Sequence, residues 1–198
     1  MVEPDVVEPE IARRARRIRL LLMDVDGVLT DGRLFNIAGA DGAMHETKGF
    51  HAQDGIALQW LTWHGIATGV ISGRESPATV ERAKQVGMTY VYQGHIEKLP
   101  ILDEIMRRSG FSFAEIAYAG DDLTDVPLLR RVGLAFAPDN ARAEVKQTAH
   151  HVTAAAGGSG AVREMAEILL RAQGKWIELL KKYDAVAKDA PIENIEVE

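Results

Sequence analysis

The chain contains no cysteine, which excludes a disulfide framework, a thiolate metal site and a cysteine nucleophile. No apolar run approaches the roughly 18 residues of a membrane span, so no membrane partner is expected. Residues 1–10 are acidic and proline-bearing and lack the apolar core of a secretory signal. The expected compartment is therefore the cytoplasm. Positive charge is also in short supply. A net charge of −6 argues against a general nucleic-acid binder, which carries a basic face. It does not oppose an anionic substrate, because a few placed cations decide that locally.

What is present suffices for a folded domain. A length of 198 residues with 46% hydrophobic content predicts one compact domain with tails and a sizeable core. Residues 1–17 read as a lead-in and helix, 18–182 as the main domain, and 183–198 as an acidic tail. The basic run Arg13, Arg14, Arg16, Arg17 and Arg19 fits a solvated helix face, with a nucleic-acid or lipid patch as the alternative.

Along the main domain, short apolar runs bounded by turn residues alternate with helical spacing. Residues 18–25, 66–71, 90–92, 116–119, 133–136 and 150–152 predict strands, the first two buried on both faces. Helices are expected over 54–64, 76–87, 97–109, 121–131 and 161–182, with Ser76-Pro77 as a cap and first-turn proline. This alternation predicts an α/β fold, a Rossmann-like doubly wound parallel sheet. Residues 30–50 break the rhythm. The turn signals Asp31-Gly32, Gly39 and Asp41-Gly42 predict a β-hairpin flap there.

In such sheets ligands bind beyond the carboxyl ends of the strands, and the chemically loaded residues fall there. Asp24 and Asp26 close the first strand, two apart, so both carboxyls point to one side. Two adjacent carboxylates repel unless a proton or cation is shared, and oxygen ligands suit Mg²⁺. Alone, Asp-x-Asp-Gly fits a solvated turn equally well. Ser72-Gly73-Arg74 offers a hydroxyl and backbone N–H groups to a phosphate oxygen, although Ser-Gly is also a common turn. Lys98 opens a helix, where the macrodipole disfavours a cation unless an anion shares the site. Asp121, Asp122 and Asp125 follow another strand; a helix cap explains one acid, and three suggest a metal. The tryptophans Trp60, Trp63 and Trp176 are expected to be packing residues.

Together these positions resemble the four motifs of the haloacid dehalogenase-like superfamily. Asp24-Val25-Asp26-Gly27-Val28-Leu29-Thr30-Asp31-Gly32, Phe50-x-x-x-Asp54-Gly55, Tyr92-Gln93-Gly94, Ala117-Tyr118-x-Gly120-Asp121-Asp122 and Gly157-Gly158-Ser159-Gly160-Ala161-Val162-Arg163-Glu164 narrow it. They resemble 3-deoxy-D-manno-octulosonate 8-phosphate phosphatases of the minimal-cap subclass, over about residues 19–175. Phosphatases of other nonulosonate 9-phosphates are the near alternative.

The resemblance implies a Mg²⁺-dependent phosphatase making a lipopolysaccharide precursor. Asp24 would be the nucleophile and Asp26 the general acid and base. Ser72 and Lys98 would hold the phosphoryl group. Mg²⁺ would sit on Asp24, the Asp26 backbone carbonyl and Asp121, with Asp122 and Asp125 orienting ligands and Lys98. Contacts to the sugar acid would fall on His51, Ala52, Gln53, Asp54, Gly55, Gln59, Arg74, Arg82 and Lys98. Gln53 and Gln59 stand where the family often has basic residues. The resemblance further implies a homotetramer with shared active sites, with Gly157 to Gly160 mobile and Arg163 a possible anion contact.

Overall fold

The computed structural model describes residues 7–40 and 42–185. Asp41 of the hairpin turn and residues 186–198 of the acidic tail lie outside the described residues, as do residues 1–6 of the lead-in.

Six strands form one parallel sheet: β1 (Leu20–Met23), β4 (Ala67–Ile71), β5 (Tyr90–Tyr92), β6 (Ile116–Ala119), β7 (Leu134–Ala137) and β8 (His151–Val152), in the order β5-β4-β1-β6-β7-β8. Strand β1 lies between β4 and β6, Leu22 opposite Gly69 on one side and Tyr118 on the other. The chain thus crosses to one edge, returns, and fills the other. The inner end of β1 is the switch point where such sheets open a crevice.

A strand buried on both faces sends alternate side chains to opposite layers. Leu21 and Met23 enter a core under α1 (Pro9–Ala15), α2 (Ala52–Trp63), α7 (Ala161–Ala172) and α8 (Trp176–Lys182). Leu20 and Leu22 enter the opposite core, under α4 (Leu99–Ser109), α5 (Val126–Leu129) and α6 (Ala143–Thr148). Each such leucine, fully buried, contributes roughly 1.5–3 kcal/mol. The remaining helix, α3 (Pro77–Val86), supplies buried Ala83 and Val86.

The expected hairpin flap is present as β2 (Phe35–Ala38) and β3 (Met44–Thr47), antiparallel, with Phe35 opposite Thr47. It pairs with no strand of the main sheet.

Several expectations need correction. The helix expected over 161–182 is broken, because Gly174 adopts φ 72° and Lys175 N–H closes back on the Leu170 carbonyl at 2.8 Å. A left-handed glycine that redirects the last carbonyls is a helix stop. Ser76 occupies the cap position of α3, but its hydroxyl makes no capping bond and is buried without a partner among the described residues. Trp60 and Trp176 are core residues, at 7% and 9% exposure, whereas Trp63 is 51% exposed with the Lys182 ammonium 3.9 Å from its ring centre. Helix α1, within the expected lead-in and helix region, packs on the core through buried Ile11 and Ala15, and Arg14 donates to the Gly133 carbonyl at 2.9 Å.

Candidate active site

The site forms where three neighbouring strands end. Asp24 follows β1 directly, Ser72 follows β4, and Gly120-Asp121 follow β6. Each is still tied to the sheet by its backbone. Asp24 N–H donates to the Ala119 carbonyl at 2.9 Å, Ser72 to Tyr92 at 2.9 Å, and Gly120 to Phe136 at 3.2 Å. Rigid strands therefore fix the first atoms of every loop.

After Asp24 the chain makes a tight coil over Val25–Leu29, in which Gly27 takes φ 92°. That left-handed conformation favours glycine. Here the space also demands it, since a β-carbon on Gly27 would lie 2.1 Å from Asp121 Oδ2. The Asp24 carboxylate accepts from Val25 N–H at 2.7 Å.

Lys98, at the start of α4, is 3% exposed. Its ammonium donates to Asp125 Oδ1 at 2.6 Å and lies 3.0 Å from Asp24 Oδ2. The disfavoured lysine is explained by two buried anions. Asp125 is fully engaged: Oδ1 also accepts from the Tyr118 hydroxyl at 2.6 Å, and Oδ2 accepts from the N–H groups of Asp121 and Asp122. Asp122 instead accepts from Leu123 N–H at 2.7 Å and shapes the turn rather than Lys98.

Oxygens of Asp24, Asp121 and Asp125 all lie within 4.8 Å of one another. With Asp125 engaged, Asp24 and Asp121 remain as donors to a cation. Asp121 Oδ1 is buried with no hydrogen-bond partner among the described residues. Burial and the neighbouring carboxylates push Asp121 up to about 7. Burial likewise pushes Asp24 up to about 6, against the pull of Lys98. An all-oxygen set short of one cation fits a hard divalent ion such as Mg²⁺.

A cavity of about 270 Å³ opens over these groups, lined also by Asp26, Ser72, Arg74, Ile96, Asp122 and Thr124. Of the expected sugar contacts, it gathers Arg74 and Lys98. The other seven do not line it. Asp54 is fully buried, and its Oδ1 accepts from Arg163 N–H at 2.8 Å, fastening the start of α7. Gly55 lies so close to Arg82 that a β-carbon would meet its guanidinium at 2.0 Å. Arg82 donates to the His51 carbonyl at 3.1 Å and Gln59 to the Gln85 carbonyl at 3.2 Å. His51, Ala52 and Gln53 begin α2 and are accessible to different degrees.

The glycine-rich element, expected to be mobile, is tied by hydrogen bonds to the coil after β1 and to Asn140. Gly158 N–H donates to the Val28 carbonyl at 3.2 Å. Asn140 donates to the Gly27 carbonyl at 2.8 Å and accepts from Gly157 N–H at 2.6 Å. Arg163 does not line this cavity; it ion-pairs with Glu167 at 2.5 Å and stacks 4.0 Å from the Trp60 ring centre.

Sequence reasoning missed Lys48, Glu46, Tyr118 and Asn140. Lys48, the first residue after β3, has a side chain only 1% exposed and donates to Asp26 Oδ1 at 2.5 Å. Arg74 hydrogen-bonds Glu46 and holds its carboxyl below the usual range. Period-2 spacing of Glu46 and Lys48 on a hairpin was the one signal available for these two.

A parallel α/β sheet with an aspartate pair after its central strand, a serine, a buried lysine and a second acidic loop at adjoining strand ends defines a haloacid dehalogenase-like hydrolase. That family matches residues 71–165. The 3-deoxy-D-manno-octulosonate 8-phosphate phosphatase of Salmonella typhimurium is 37% identical over 169 residues, 85% of this chain and 88% of that protein. Among solved structures, the phosphatase of that name from Yersinia pestis superposes with a TM-score of 0.80 at 38% identity, covering 85% of this chain and 89% of that one. The one from Moraxella catarrhalis, solved in complex with magnesium, phosphate and a KDO molecule, gives 0.83 at 36% identity, over 88% and 98%. The chain belongs to the 3-deoxy-D-manno-octulosonate 8-phosphate phosphatase family, and is accordingly a phosphoric monoester hydrolase.

Proposed function

We propose that the chain hydrolyses 3-deoxy-D-manno-octulosonate 8-phosphate to the free sugar acid and phosphate, through an aspartyl-phosphate on Asp24. The observation that carries this reading is the convergence of Asp24, Ser72, Lys98 and Asp121 on one cavity. Asp24 attacks phosphorus as the bond to the sugar oxygen breaks, and Asp26 gives its proton to that oxygen. Water then attacks phosphorus, Asp26 takes its proton, and Asp24 is restored. Ser72 and Lys98 hold the phosphoryl oxygens, where stabilising spread charge is most of the work. Asp125 and Tyr118 hold Lys98 in place, the supporting role a positioned ligand needs.

Asp24 and Asp121, with the Asp26 backbone carbonyl, would hold Mg²⁺, which neutralises charge between nucleophile and phosphate when bound. Arg74 also lines the cavity, and its guanidinium is suited to a bidentate clamp on the substrate carboxylate.

The same reading includes a homotetramer, a catalytic domain over residues 18–182 and a cytoplasmic location. Leu34, Phe35, Ile37 and Met44 are each 47% exposed or more on the flap, an apolar surface that asks for a partner. His51, Ala52, Gln53, Asp54, Gly55, Gln59 and Arg82 would then serve, directly or as support, a neighbouring subunit's site. Among the described residues no helix is long and apolar enough to cross a membrane.

The decisive experiment measures phosphate release from the octulosonate 8-phosphate and from nonulosonate 9-phosphates with Mg²⁺. A kcat/KM at least about tenfold higher for the octulosonate, a difference of some 1.4 kcal/mol, is expected; the reverse order reassigns the substrate. Light scattering reads the assembly, and a fully active monomer defeats the shared site. Cell fractionation checks the location.

A further inference from the structure

The flap reaches the chemistry through a single buried cation. Lys48 leaves β3 and turns inward, so its side chain shares a side with Glu46 two residues earlier. Its ammonium is bonded to Asp26 Oδ1 at 2.5 Å and lies 3.3 Å from Glu46 Oε1. Arg74, from the loop after β4, closes the ring by bonding Glu46 and approaching Asp26 Oδ2 at 3.7 Å. Two cations and two carboxylates from three separate loops thus alternate around Asp26. A lysine with a side chain 1% exposed is tolerated only when paired, because unpaired burial of charge is strongly unfavourable.

The two oxygens of Asp26 are treated differently. Oδ1 is occupied by Lys48, whereas Oδ2 is buried and has no hydrogen-bond partner among the described residues. The Lys48 bond restrains the carboxylate through Oδ1, and Oδ2 is the oxygen left without a hydrogen bond on a residue that lines the cavity. We infer that Lys48 is a positioning residue for Asp26: it holds Oδ1 so that Oδ2 is the oxygen presented to the leaving group. Glu46 supports Lys48 from the far side, so the flap strand carries part of the reaction geometry as well as covering the site. This inference rests on the acid role proposed for Asp26.

Proton donation matters for a sugar alkoxide and hardly at all for a nitrophenolate, which leaves unaided. The ratio of kcat/KM for the sugar phosphate to that for p-nitrophenyl phosphate therefore reads the acid step, and it excludes the later hydrolysis of the aspartyl-phosphate. Lys48→Met is expected to lower the sugar-phosphate kcat/KM by about 10²-fold, the scale of a misplacement near 1 Å, and the aryl value by less than about threefold. Lys48→Arg, which keeps a cation at the flap, is expected to recover most of the ratio. Asp26→Asn is measured beside them and should move the ratio in the same direction by more, within the 10²–10⁴-fold range of acid–base catalysis.

If Asp26→Asn shifts the ratio while Lys48→Met loses both substrates equally or neither, the Lys48 assignment fails alone. If Asp26→Asn leaves the ratio unchanged, the acid role and the inference fall together. Should Lys48→Met not fold, Glu46→Gln carries the test: a lowered ratio is expected, and an unaltered ratio overturns the assignment.

Discussion

Gly27 and Asp121 stand so close that the only side chain the Gly27 position accommodates is none. A β-carbon there would lie 2.1 Å from Asp121 Oδ2 and 2.5 Å from its carboxyl carbon, on a backbone already at φ 92°. The coil after β1 and the acidic loop after β6 are thereby set face to face. Gly27→Ala is expected to displace Asp121, reduce kcat/KM by at least about 10²-fold, and cost about 1–3 kcal/mol of stability through backbone strain. Steady-state kinetics and urea unfolding check both; a variant with normal activity would show that the Asp121 position is irrelevant to turnover.

Asp24→Asn keeps the shape of the side chain and removes the proposed nucleophile. Turnover should fall by at least about 10³-fold, with the circular dichroism spectrum unchanged. Acid-quenched wild type should carry phosphate on one aspartate, and the variant none. Labelled phosphate recovered from the variant at wild-type level would redirect the chemistry to another residue.

Metal binding should depend on pH in a defined direction. Burial pushes Asp24 up to about 6 and Asp121 up to about 7, above the ordinary 3.8, so the folded metal-free protein keeps protons that the unfolded chain has lost. Its stability should therefore fall as pH rises from about 4 through about 7. Mg²⁺ replaces those protons, so its stabilisation should grow over the same window. At 100 times its Kd the ion adds about 2.7 kcal/mol, or about 5–10 °C in Tm for a chain of this size. Differential scanning calorimetry at pH 5.5 and pH 8 should show a small shift and a large one. Equal shifts at both values would mean that Asp24 and Asp121 are not the ligands.

Asn140 joins the two loops that enclose the site, holding the Gly27 carbonyl and the Gly157 N–H. Asn140→Ala leaves both groups without their partner and should cost about 1–3 kcal/mol. It should also lower kcat/KM more than a remote variant of equal stability loss, such as one in the α4 core. Loss of stability with fully retained activity would assign Asn140 to the fold alone.

Glu115 offers a test away from the site. It accepts from Ser112 N–H at 3.0 Å, from the Ser112 hydroxyl, and from Arg19, and these bonds hold it down at about 2. A carboxylate with a depressed value stabilises the fold above its ordinary 4.5 and loses that effect as pH falls toward about 2. The denaturant midpoint of Glu115→Gln should thus lie below wild type at pH 7 and converge with it only as pH falls to about 2. A pH-independent difference would contradict the assignment.

Much of the molecule is legible from its residues. Continuous apolar runs such as residues 20–23 have only one way to bury every side chain, between two helical layers, so the doubly wound sheet follows from the pattern. Asp24, Ser72 and Asp121 could be placed at strand ends because each directly follows such a run, and Lys98 because a lysine opening a helix needs an anion. The turn signals Asp31-Gly32, Gly39 and Asp41-Gly42 likewise suffice for a hairpin over residues 30–50. Tertiary structure alone decided the rest. Which loops meet depends on the order β5-β4-β1-β6-β7-β8, and no local pattern encodes contacts between residues 22, 27 or 113 positions apart. Lys48 meets Asp26, Lys98 meets Asp125 and Asn140 meets Gly27 across those gaps. Gly174 breaks the last helix because closing its end onto Leu170 and anchoring Lys175 to the His64 carbonyl outweighs continuing the apolar stripe. The segment itself carries nothing that weighs those long-range bonds against its own helical preference.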